Sequence, residues 1–243
     1  MEPAKITELK ILTQQYFTIA NSHIVGSPEF LKKASGIRQI NEEAEIPGFE
    51  NKNIKFGKFE NREFVVMMTD IRKSTNIINS PNGLVNMFLI FYVYAGIVAK
   101  IVDSFVGTST EFLGDGVLNL FDTKDDGLDK ALMNSASASW EILATRELIL
   151  NPFFRNNNLP TIDLGIGIDF GQTIVTKFGY KNDMDLKAFG KCVYNASKFC
   201  KGFNEIKTSV EASQVWPTSE TGRLGFINPI EIEGKLSYTL HIS

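Results

Sequence analysis

Residues 105–121 of the chain read FVGTSTEFLGDGVLNLF. Two apolar, strand-like runs flank the tripeptide Gly114-Asp115-Gly116. An Asp-Gly pair between two such runs is a strong signal for a β-hairpin, because the tight turn needs residues that tolerate positive φ. The stretch therefore predicts two adjacent antiparallel strands, with Asp115 at the tip of the turn.

The elements around this hairpin predict a mixed α+β fold. An apolar run over residues 64–68 is typical of a buried strand, and it ends at Thr69-Asp70. We predict helices over residues 84–105, 125–150 and 188–202, and strands over 161–170, 173–178 and 236–242. Asn151-Pro152 is expected to close the second helix, and Gly171 to separate two strands. Strand, helix, hairpin, helix, strand is the ferredoxin-like βαββαβ order, extended here by extra strands.

The chain is predicted to divide into an N-terminal appendage, residues 1–58, and a catalytic domain, residues 59–243. Apolar side chains recur at helical spacing over residues 5–24. They predict a helix that either packs on its own domain or serves dimerisation. Residues 26–58 are rich in Gly and Pro and are interpreted as a linker.

Composition excludes several kinds of protein. The 243 residues are 43% hydrophobic and 22% charged, which excludes disordered and fibrous chains. A net charge of −3 argues against a nucleic-acid binder that works by bulk electrostatics. The 2 histidines, His23 and His241, lie near opposite ends, so neither a His-rich zinc site nor a Ser-His-Asp triad is expected.

The sequence predicts a cytoplasmic protein without a membrane span. The longest apolar run, residues 87–99, has roughly 13 residues against the ~20 that a span requires. The N-terminus carries an early acidic residue and no apolar core of the signal-peptide kind. Cys192 and Cys200 fall in one predicted helix about 12 Å apart, too far for a disulfide, which fits a reducing compartment.

Asp70 and Asp115 form the candidate centre. In a βαββ arrangement the first strand lies beside the hairpin, which would bring these two carboxylates together. Close carboxylates repel unless a cation lies between them, and Mg²⁺ or Mn²⁺ with oxygen ligands suits such a site. The structural alternative is that Asp115 is a turn residue and Asp70 a helix N-cap ahead of Ser74-Thr75.

Four segments, taken together, resemble the motifs of class III nucleotidyl cyclases. They are residues 66–75 (VMMTDIRKST), 112–118 (FLGDGVL), 164–171 (LGIGIDFG) and 189–198 (FGKCVYNASK). In order and spacing, over roughly residues 62–243, they are similar to the family's metal-binding strand, hairpin, following strand pair and late helix. The resemblance implies the class III cyclase fold. It also implies cyclisation of a nucleoside triphosphate to a 3′,5′-cyclic nucleotide with release of pyrophosphate.

The resemblance also implies a set of site residues. Two divalent ions, Mn²⁺ or Mg²⁺, would be held by Asp70, Asp115 and the backbone carbonyl of Ile71, to activate the ribose 3′-hydroxyl and hold the triphosphate. The residues expected to contact phosphates through a helix start or a side chain are Arg72, Lys73, Ser74, Thr75 and Lys235, with Lys181 near a further triphosphate contact.

Three positions depart from the family pattern. Tyr194 stands where the family has the Asn that orients the ribose. Lys198 stands where it has the Arg that stabilises charge at the α-phosphate, so Lys198 is the expected catalytic cation, without the bidentate fork. Asn195 is adjacent to Tyr194 but about 100° round the helix, so it is not a simple substitute. Lys73 occupies the place of a usual loop glycine.

Glu111 and Lys187 occupy the two base-reading positions implied by the resemblance. Glu accepts hydrogen bonds from N–H groups, whereas Lys donates to a carbonyl or a ring nitrogen. The pair could read guanine, uracil or cytosine and does not match the family's usual adenine pair. Phe59 or Phe56, before the first strand, could stack on a small base or be an ordinary packed aromatic.

The altered ribose positions and the stand-alone domain resemble the pyrimidine cyclases of bacterial antiphage (Pycsar) systems. That resemblance implies a homodimer with sites at the subunit interface. Its product, cyclic UMP or cyclic CMP, would act on a separate effector, with no nucleic acid or membrane as partner. Two alternatives stay open: a guanylate or adenylate cyclase in ordinary signalling, and a regulatory module that binds nucleotide without turnover.

Overall fold

The structure, a computed structural model, describes residues 1–25, 59–125, 127–180, 183–217 and 224–242. In chain order its elements are α1 (Pro3–Val25), β1 (Phe59–Arg72), α2 (Ser74–Ile78), α3 (Gly83–Ser104), β2 (Gly107–Leu113), β3 (Gly116–Asp122), α4 (Gly127–Thr145), a π-helical turn (Arg146–Leu150), α5 (Asn151–Asn156), β4 (Asp163–Tyr180), β5 (Asp183–Phe189), α6 (Lys191–Phe199), β6 (Glu205–Ser209), α7 (Val210–Val215), β7 (Leu224–Ile232) and β8 (Lys235–Ile242). The predicted α+β class is confirmed.

One sheet organises these elements, in the order β2-β3-β1-β4-β6-β8-β7, with β5 paired to β4. β1 runs antiparallel to both β3 and β4, and β4 runs parallel to β6. The first strand of the core therefore lies between the hairpin and the fourth strand. This is the ferredoxin-like arrangement that the element order predicted, with β5, β7 and β8 among the additional strands.

The sheet separates two apolar clusters. Val65 and Met67 face the layer of α1, α3 and α4, whereas Val66 and Met68 face β5 and α6. The period of two along a strand explains the alternation. Asp70 continues the second series, so the end of β1 directs its carboxylate to the α6 side of the sheet.

Two glycines of β4 allow α6 to lie directly on the sheet. A Cβ on Gly165 would lie 1.8 Å from the carbonyl oxygen of Cys200, and one on Gly167 would lie 2.1 Å from that of Ala196. Real Cβ atoms cannot approach so closely, so any side chain at either position would push the helix away. This contact fixes α6 relative to β1 and β4.

Two predicted boundaries are wrong. The helix does not close at Asn151-Pro152, because α4 continues through the π-helical turn into α5, where Pro152 takes a first-turn position that needs no N–H donor. Residues 188–189 belong to β5, and α6 begins only at Lys191.

A third correction concerns the residues around Gly171. This glycine does not separate two strands. Instead β4 is continuous from Asp163 to Tyr180, with Gly171 at a φ of 151°. That φ lies in a region that glycine adopts without strain, so the strand continues through a position where the sequence suggested a break.

Helix α1 packs on its own domain. The ring of Tyr16 lies over Gly96 of α3, where a Cβ would come within 2.5 Å of it, and Lys5 pairs with Glu141 at 2.7 Å. Helix α3 is long and apolar enough to cross a bilayer by length and composition alone, but 56% of its most apolar window is buried in the fold, as in a core helix. The predicted linker, residues 26–58, lies outside the described residues.

Candidate active site

Asp70 and Asp115 lie side by side at the end of β1. Pairing of β1 with β3 places Asp70 opposite Gly116, and the Ile71 N–H donates to the Asp115 carbonyl oxygen at 3.1 Å. A Cβ on Gly116 would lie 2.9 Å from the Thr69 carbonyl oxygen. Gly114, at a φ of 63°, and Asp115 form the two-residue turn between Leu113 and Gly116. The predicted Asp-Gly turn is thus shifted by one residue: Gly116 begins β3, and its lack of a side chain lets the hairpin backbone approach the end of β1.

The two carboxylates are only partly compensated by their neighbours. The Arg72 guanidinium forms an ion pair with Asp70, and the Ser74 hydroxyl donates to Asp115. Burial, and then the negative charge of Asp115, nevertheless raise the pKa of Asp70 to about 6. Uncompensated negative charge on hard oxygen ligands is the environment that Mg²⁺ or Mn²⁺ relieves, so the residues present fit a divalent cation.

The donor set for such a cation would be small. Among the described residues no group of three or more His, Cys, Asp or Glu side chains is placed to hold a metal ion. A cation here would take its protein ligands from Asp70, Asp115 and the Ile71 carbonyl, and further oxygens from water or substrate. Sites of this composition are typical of Mg²⁺ bound together with substrate phosphates.

The loop after β1 wraps around the carboxylate pair. Lys73 has a φ of 57°, a left-handed conformation that glycine adopts without strain. This fits the position, which a glycine usually occupies in class III cyclases. Ser74 is the first residue of α2, and Thr75 follows it. Arg72 and Lys73 also lie over the ring of Phe203, 5.7 and 5.0 Å from its centroid. Sequence reasoning missed Phe203, because nothing local to residues 202–204 indicates that contact.

Glu111 and Lys187 contact each other directly. Lys187 Nζ lies 2.9 Å from Glu111 Oε2, and the Ala188 N–H donates to Glu111 Oε1 at 2.8 Å. Glu111 is 7% exposed, whereas the Lys187 side chain is 29% exposed. The two predicted base-reading residues are thus together, but both carboxylate oxygens of Glu111 are engaged within the protein.

A second cluster of cations lies on α6 and on the turn between β7 and β8. The ammonium groups of Lys198 and Lys235 lie 5.2 and 5.0 Å from the ring centroid of Tyr194. Lys198 pairs with Glu233 at 2.7 Å, and Lys235 donates to Asn195. Across the described parts of the chain, no hydrogen bond or ion pair joins Asp70 or Asp115 to these lysines.

The aromatic residue predicted to contact the base lies at the start of β1. Phe59 is 64% exposed and pairs with Thr176, which in turn pairs with Lys187 on β5. Phe59 is therefore two strands from Lys187, about 10 Å between Cα atoms. Phe56 and Lys181 lie outside the described residues.

Comparison with curated proteins finds adenylate cyclases, and no family model matches the chain. An adenylate cyclase of Anabaena cylindrica is 25% identical over 146 residues, which cover 60% of this chain and 28% of that protein. The terminal-differentiation-specific adenylate cyclase of Dictyostelium discoideum is 22% identical over 193 residues, 75% of this chain and 9% of that protein. The chain thus spans less than a third of the length of these relatives.

Solved structures give broader coverage. The guanylyl cyclase Cya2 matches with a TM-score of 0.65 and 18% identity over 76% of this chain and 94% of that one. The adenylyl cyclase CyaB of P. aeruginosa matches with a TM-score of 0.63 and 20% identity, over 76% of this chain and 96% of that one. A dimeric guanylyl cyclase domain of the fungus Blastocladiella emersonii matches with a TM-score of 0.60 and 14% identity, over 76% of this chain and 98% of that one. The chain has the fold of class III adenylyl and guanylyl cyclase catalytic domains.

Proposed function

We propose that this chain is a nucleotide cyclase, which converts a nucleoside triphosphate to a 3′,5′-cyclic nucleotide and pyrophosphate. The observation that carries the proposal is the meeting of Asp70 and Asp115 beside the loop of residues 72–75, in a chain with the class III cyclase fold. Asp70, Asp115 and the Ile71 carbonyl would hold two Mn²⁺ or Mg²⁺ ions. When bound, these ions activate the ribose 3′-hydroxyl and neutralise the triphosphate.

The chain's own groups would orient and stabilise the reacting phosphates. Backbone amides of residues 72–75, at the start of α2, would bind phosphate oxygens, which a helix start favours. Lys235 would bind the terminal phosphate. Lys198 would stabilise the negative charge that develops as the 3′-oxygen attacks the α-phosphorus in line and pyrophosphate leaves.

The active unit proposed is a homodimer in which each site takes Asp70 and Asp115 from one subunit and Lys198 and Lys235 from the other. The separation of these two clusters within one chain supports this arrangement. Large apolar side chains at the second cluster are exposed, among them Tyr194 at 54% and Leu236 at 47%. Apolar residues left exposed near a functional site mark an interaction surface, and a two-fold dimer is the commonest solution.

A pyrimidine substrate, UTP or CTP, is proposed on the basis of Lys187. Because both oxygens of Glu111 are engaged, the group left to meet the base is the Lys187 ammonium, which can only donate. Such a donor can bond to the ring carbonyl of uracil, cytosine or guanine, or to a ring nitrogen of adenine. The proposal favours the carbonyl, because the Glu111–Lys187 pair does not match the adenine-reading pair usual in class III cyclases. Phe59, exposed two strands away, would favour a small base. The product would be a second messenger that acts on a separate effector in cytoplasmic antiphage defence.

Two further functions are each favoured by a specific observation. Guanine also carries a ring carbonyl, so Lys187 is compatible with a guanylate cyclase in ordinary signalling, the activity named for Cya2. A module that binds nucleotide without turnover is favoured by Tyr194 and Lys198, which depart from the family's ribose and phosphate contacts.

Incubation of the purified protein with Mn²⁺ and each of the four nucleoside triphosphates, one at a time, separates these functions. The products are identified by mass spectrometry. A cyclic pyrimidine nucleotide with equimolar pyrophosphate is the expected result. Cyclic GMP or cyclic AMP alone would favour ordinary signalling, and nucleotide binding without any cyclic product would favour the regulatory module.

A further inference from the structure

A buried carboxylate of β4 is bonded to α6 and to the end of β6. Asp169 is 4% exposed, and its two oxygens accept hydrogen bonds from Ser209 Oγ at 2.6 Å and from Asn195 Nδ2 at 2.7 Å. A buried carboxylate without hydrogen-bond donors would destabilise the fold, so the fold depends on these two bonds. The metal-binding residues and the predicted base-reading pair take no part in this network.

The carboxylate fixes which way the Asn195 amide faces. Since Nδ2 donates to Asp169, Oδ1 must face the opposite side, and there it accepts a hydrogen bond from Lys235. Rotating the amide would place its oxygen against the carboxylate oxygen and lose both bonds. The acceptor for the Lys235 ammonium is therefore set from within the core.

The network ends at a cavity open to solvent. Asn195 and Lys235 both line a space of about 520 Å³ between α6, α7 and the turn that joins β7 to β8. Lys235 follows Glu233 and Gly234, which take positive φ angles of 48° and 78° in that turn. Its ammonium lies 5.0 Å from the centroid of the Tyr194 ring, and the ring and the Asn195 oxygen together hold it where Lys235 lines this space.

We propose that Asn195, oriented by Asp169, is a positioning residue that holds the Lys235 ammonium where the terminal phosphates of the substrate meet it. This inference rests on the proposed function, in which Lys235 binds the triphosphate. A neutral amide acceptor orients the ammonium but leaves its charge available. A carboxylate at the same place would form an ion pair that phosphate must displace, as Glu233 does with Lys198.

A double-mutant cycle on inorganic triphosphate binding tests the proposal. The affinity of the full chain for Mg²⁺-triphosphate is measured by calorimetry for wild type, Asn195→Ala, Lys235→Ala and the double variant. Loss of a hydrogen bond to a charged group predicts about tenfold weaker binding for Asn195→Ala. The double variant should bind no more weakly than Lys235→Ala, because Asn195 acts only through Lys235. Additive losses would overturn the proposal.

Two variants guard against a loss of fold. Asn195→Val keeps much of the side-chain volume without an oxygen, and it should match Asn195→Ala. Ser197→Ala, on the same helix, removes only a hydroxyl that donates to the Tyr194 carbonyl, and it should bind like wild type. If Ser197→Ala lowers affinity as much as Asn195→Val does, the effect is general to α6 and the proposal is overturned.

A second readout does not depend on nucleotide chemistry. Competitive acetylation of the nucleotide-free protein, followed by peptide mass spectrometry, reports the reactivity of Lys235. It should rise several-fold in Asn195→Val while that of Lys201, paired with Glu233, stays constant. An unchanged Lys235 reactivity overturns the contact. If wild type makes no cyclic nucleotide, the proposed function fails, while the acetylation and triphosphate measurements still decide the role of Asn195.

Discussion

Lys187 on β5 and Glu111 on β2 form an ion pair at 2.9 Å across 76 residues of sequence. Because the Ala188 N–H takes the other oxygen of Glu111, the carboxylate is committed to the protein and Lys187 is the donor that remains accessible. In the proposed reaction this pair would offer a positive donor to the base, so Lys187 is the residue whose substitution tests the choice of substrate.

Substitution of Lys187 should change base selectivity. In Lys187→Ala we expect kcat/KM for the preferred triphosphate to fall about 10- to 100-fold, the effect of one to two hydrogen bonds to a charged group, with little effect on the residual rate with ATP. Steady-state rates with each triphosphate measure this. A uniform fall for all four would show that Lys187 supports the fold or the phosphates instead of reading the base.

Glu111→Gln is the matched variant for the same pair. The amide can still accept one hydrogen bond, but it no longer compensates the lysine charge. We expect a smaller loss of selectivity than in Lys187→Ala, because the acidic side chain acts through Lys187. A larger loss in Glu111→Gln, measured with the same substrates, would mean that Glu111 itself contacts the base.

The raised pKa of Asp70 predicts how stability depends on pH when metal is removed. The folded state holds the Asp70 proton more tightly than the unfolded chain, since the pKa rises from 3.8 to about 6. The associated stability is present below pH ~4 and is lost as pH rises through 6. Asp70→Asn does not undergo this loss. Above pH 6 its free energy of unfolding should therefore rise relative to that of wild type by on the order of 1–3 kcal/mol.

Thermal unfolding of both proteins in chelator, between pH 4 and 8, measures the difference. Addition of Mn²⁺ at pH 7.5 should then raise the Tm of wild type and leave Asp70→Asn nearly unchanged. A difference between the two proteins that does not change with pH would contradict the effect of burial and of Asp115 on this carboxyl.

The close approach of α6 to the sheet predicts a strong effect of a single methyl group. In Gly167→Ala the new Cβ would lie 2.1 Å from the Ala196 carbonyl oxygen, so α6 must move and we expect a loss of about 2–4 kcal/mol. The control is Gly225→Ala on β7, where a Cβ meets nothing within 4 Å. Urea unfolding measures the stability of both variants. Equal stabilities would contradict the close packing of α6 on Gly167.

Complementation tests the composite dimeric site. Asp70→Ala and Lys198→Ala should each be inactive. In a random mixture about half of the dimers are heterodimers with one intact site, so activity should return to about a quarter of wild type. Subunit exchange is verified by mass spectrometry with isotopic labels. No recovery despite exchange would mean that each site forms within one chain.

The parts of the fold that local signals encode could be predicted from sequence. The Asp-Gly turn predicted the hairpin, and the apolar run before Asp70 predicted its strand, so the neighbouring carboxylates followed from topology. The passage of the helix through Pro152 was not predictable in this way, because it depends on the π-helical turn before it. Likewise the strand continues through Gly171, because pairing along β1 overrides a local break signal.

The contacts that define the second cluster could not be predicted for a different reason. The bond between Asn195 and Asp169 depends on α6 lying directly on β4, which requires the glycines of that strand. The position of Asn195 relative to Tyr194 on the helix was foreseen, but its partner was not. The resemblance placed Glu111 and Lys187 at the same base, but their direct ion pair was not predicted, because it depends on how β5 lies relative to β2.

The proposed role of the Asp70–Asp115 pair is to drive cyclisation of a nucleoside triphosphate. Its most direct test is the rate of cyclic nucleotide formation with Mn²⁺ by wild type, Asp70→Ala and Asp115→Ala, each verified as folded by circular dichroism. Loss of several kcal/mol of transition-state stabilisation, at tenfold per ~1.4 kcal/mol, predicts a fall of at least about a thousandfold in both variants. Near-normal turnover by folded Asp115→Ala would show that the carboxylate pair does not drive the reaction.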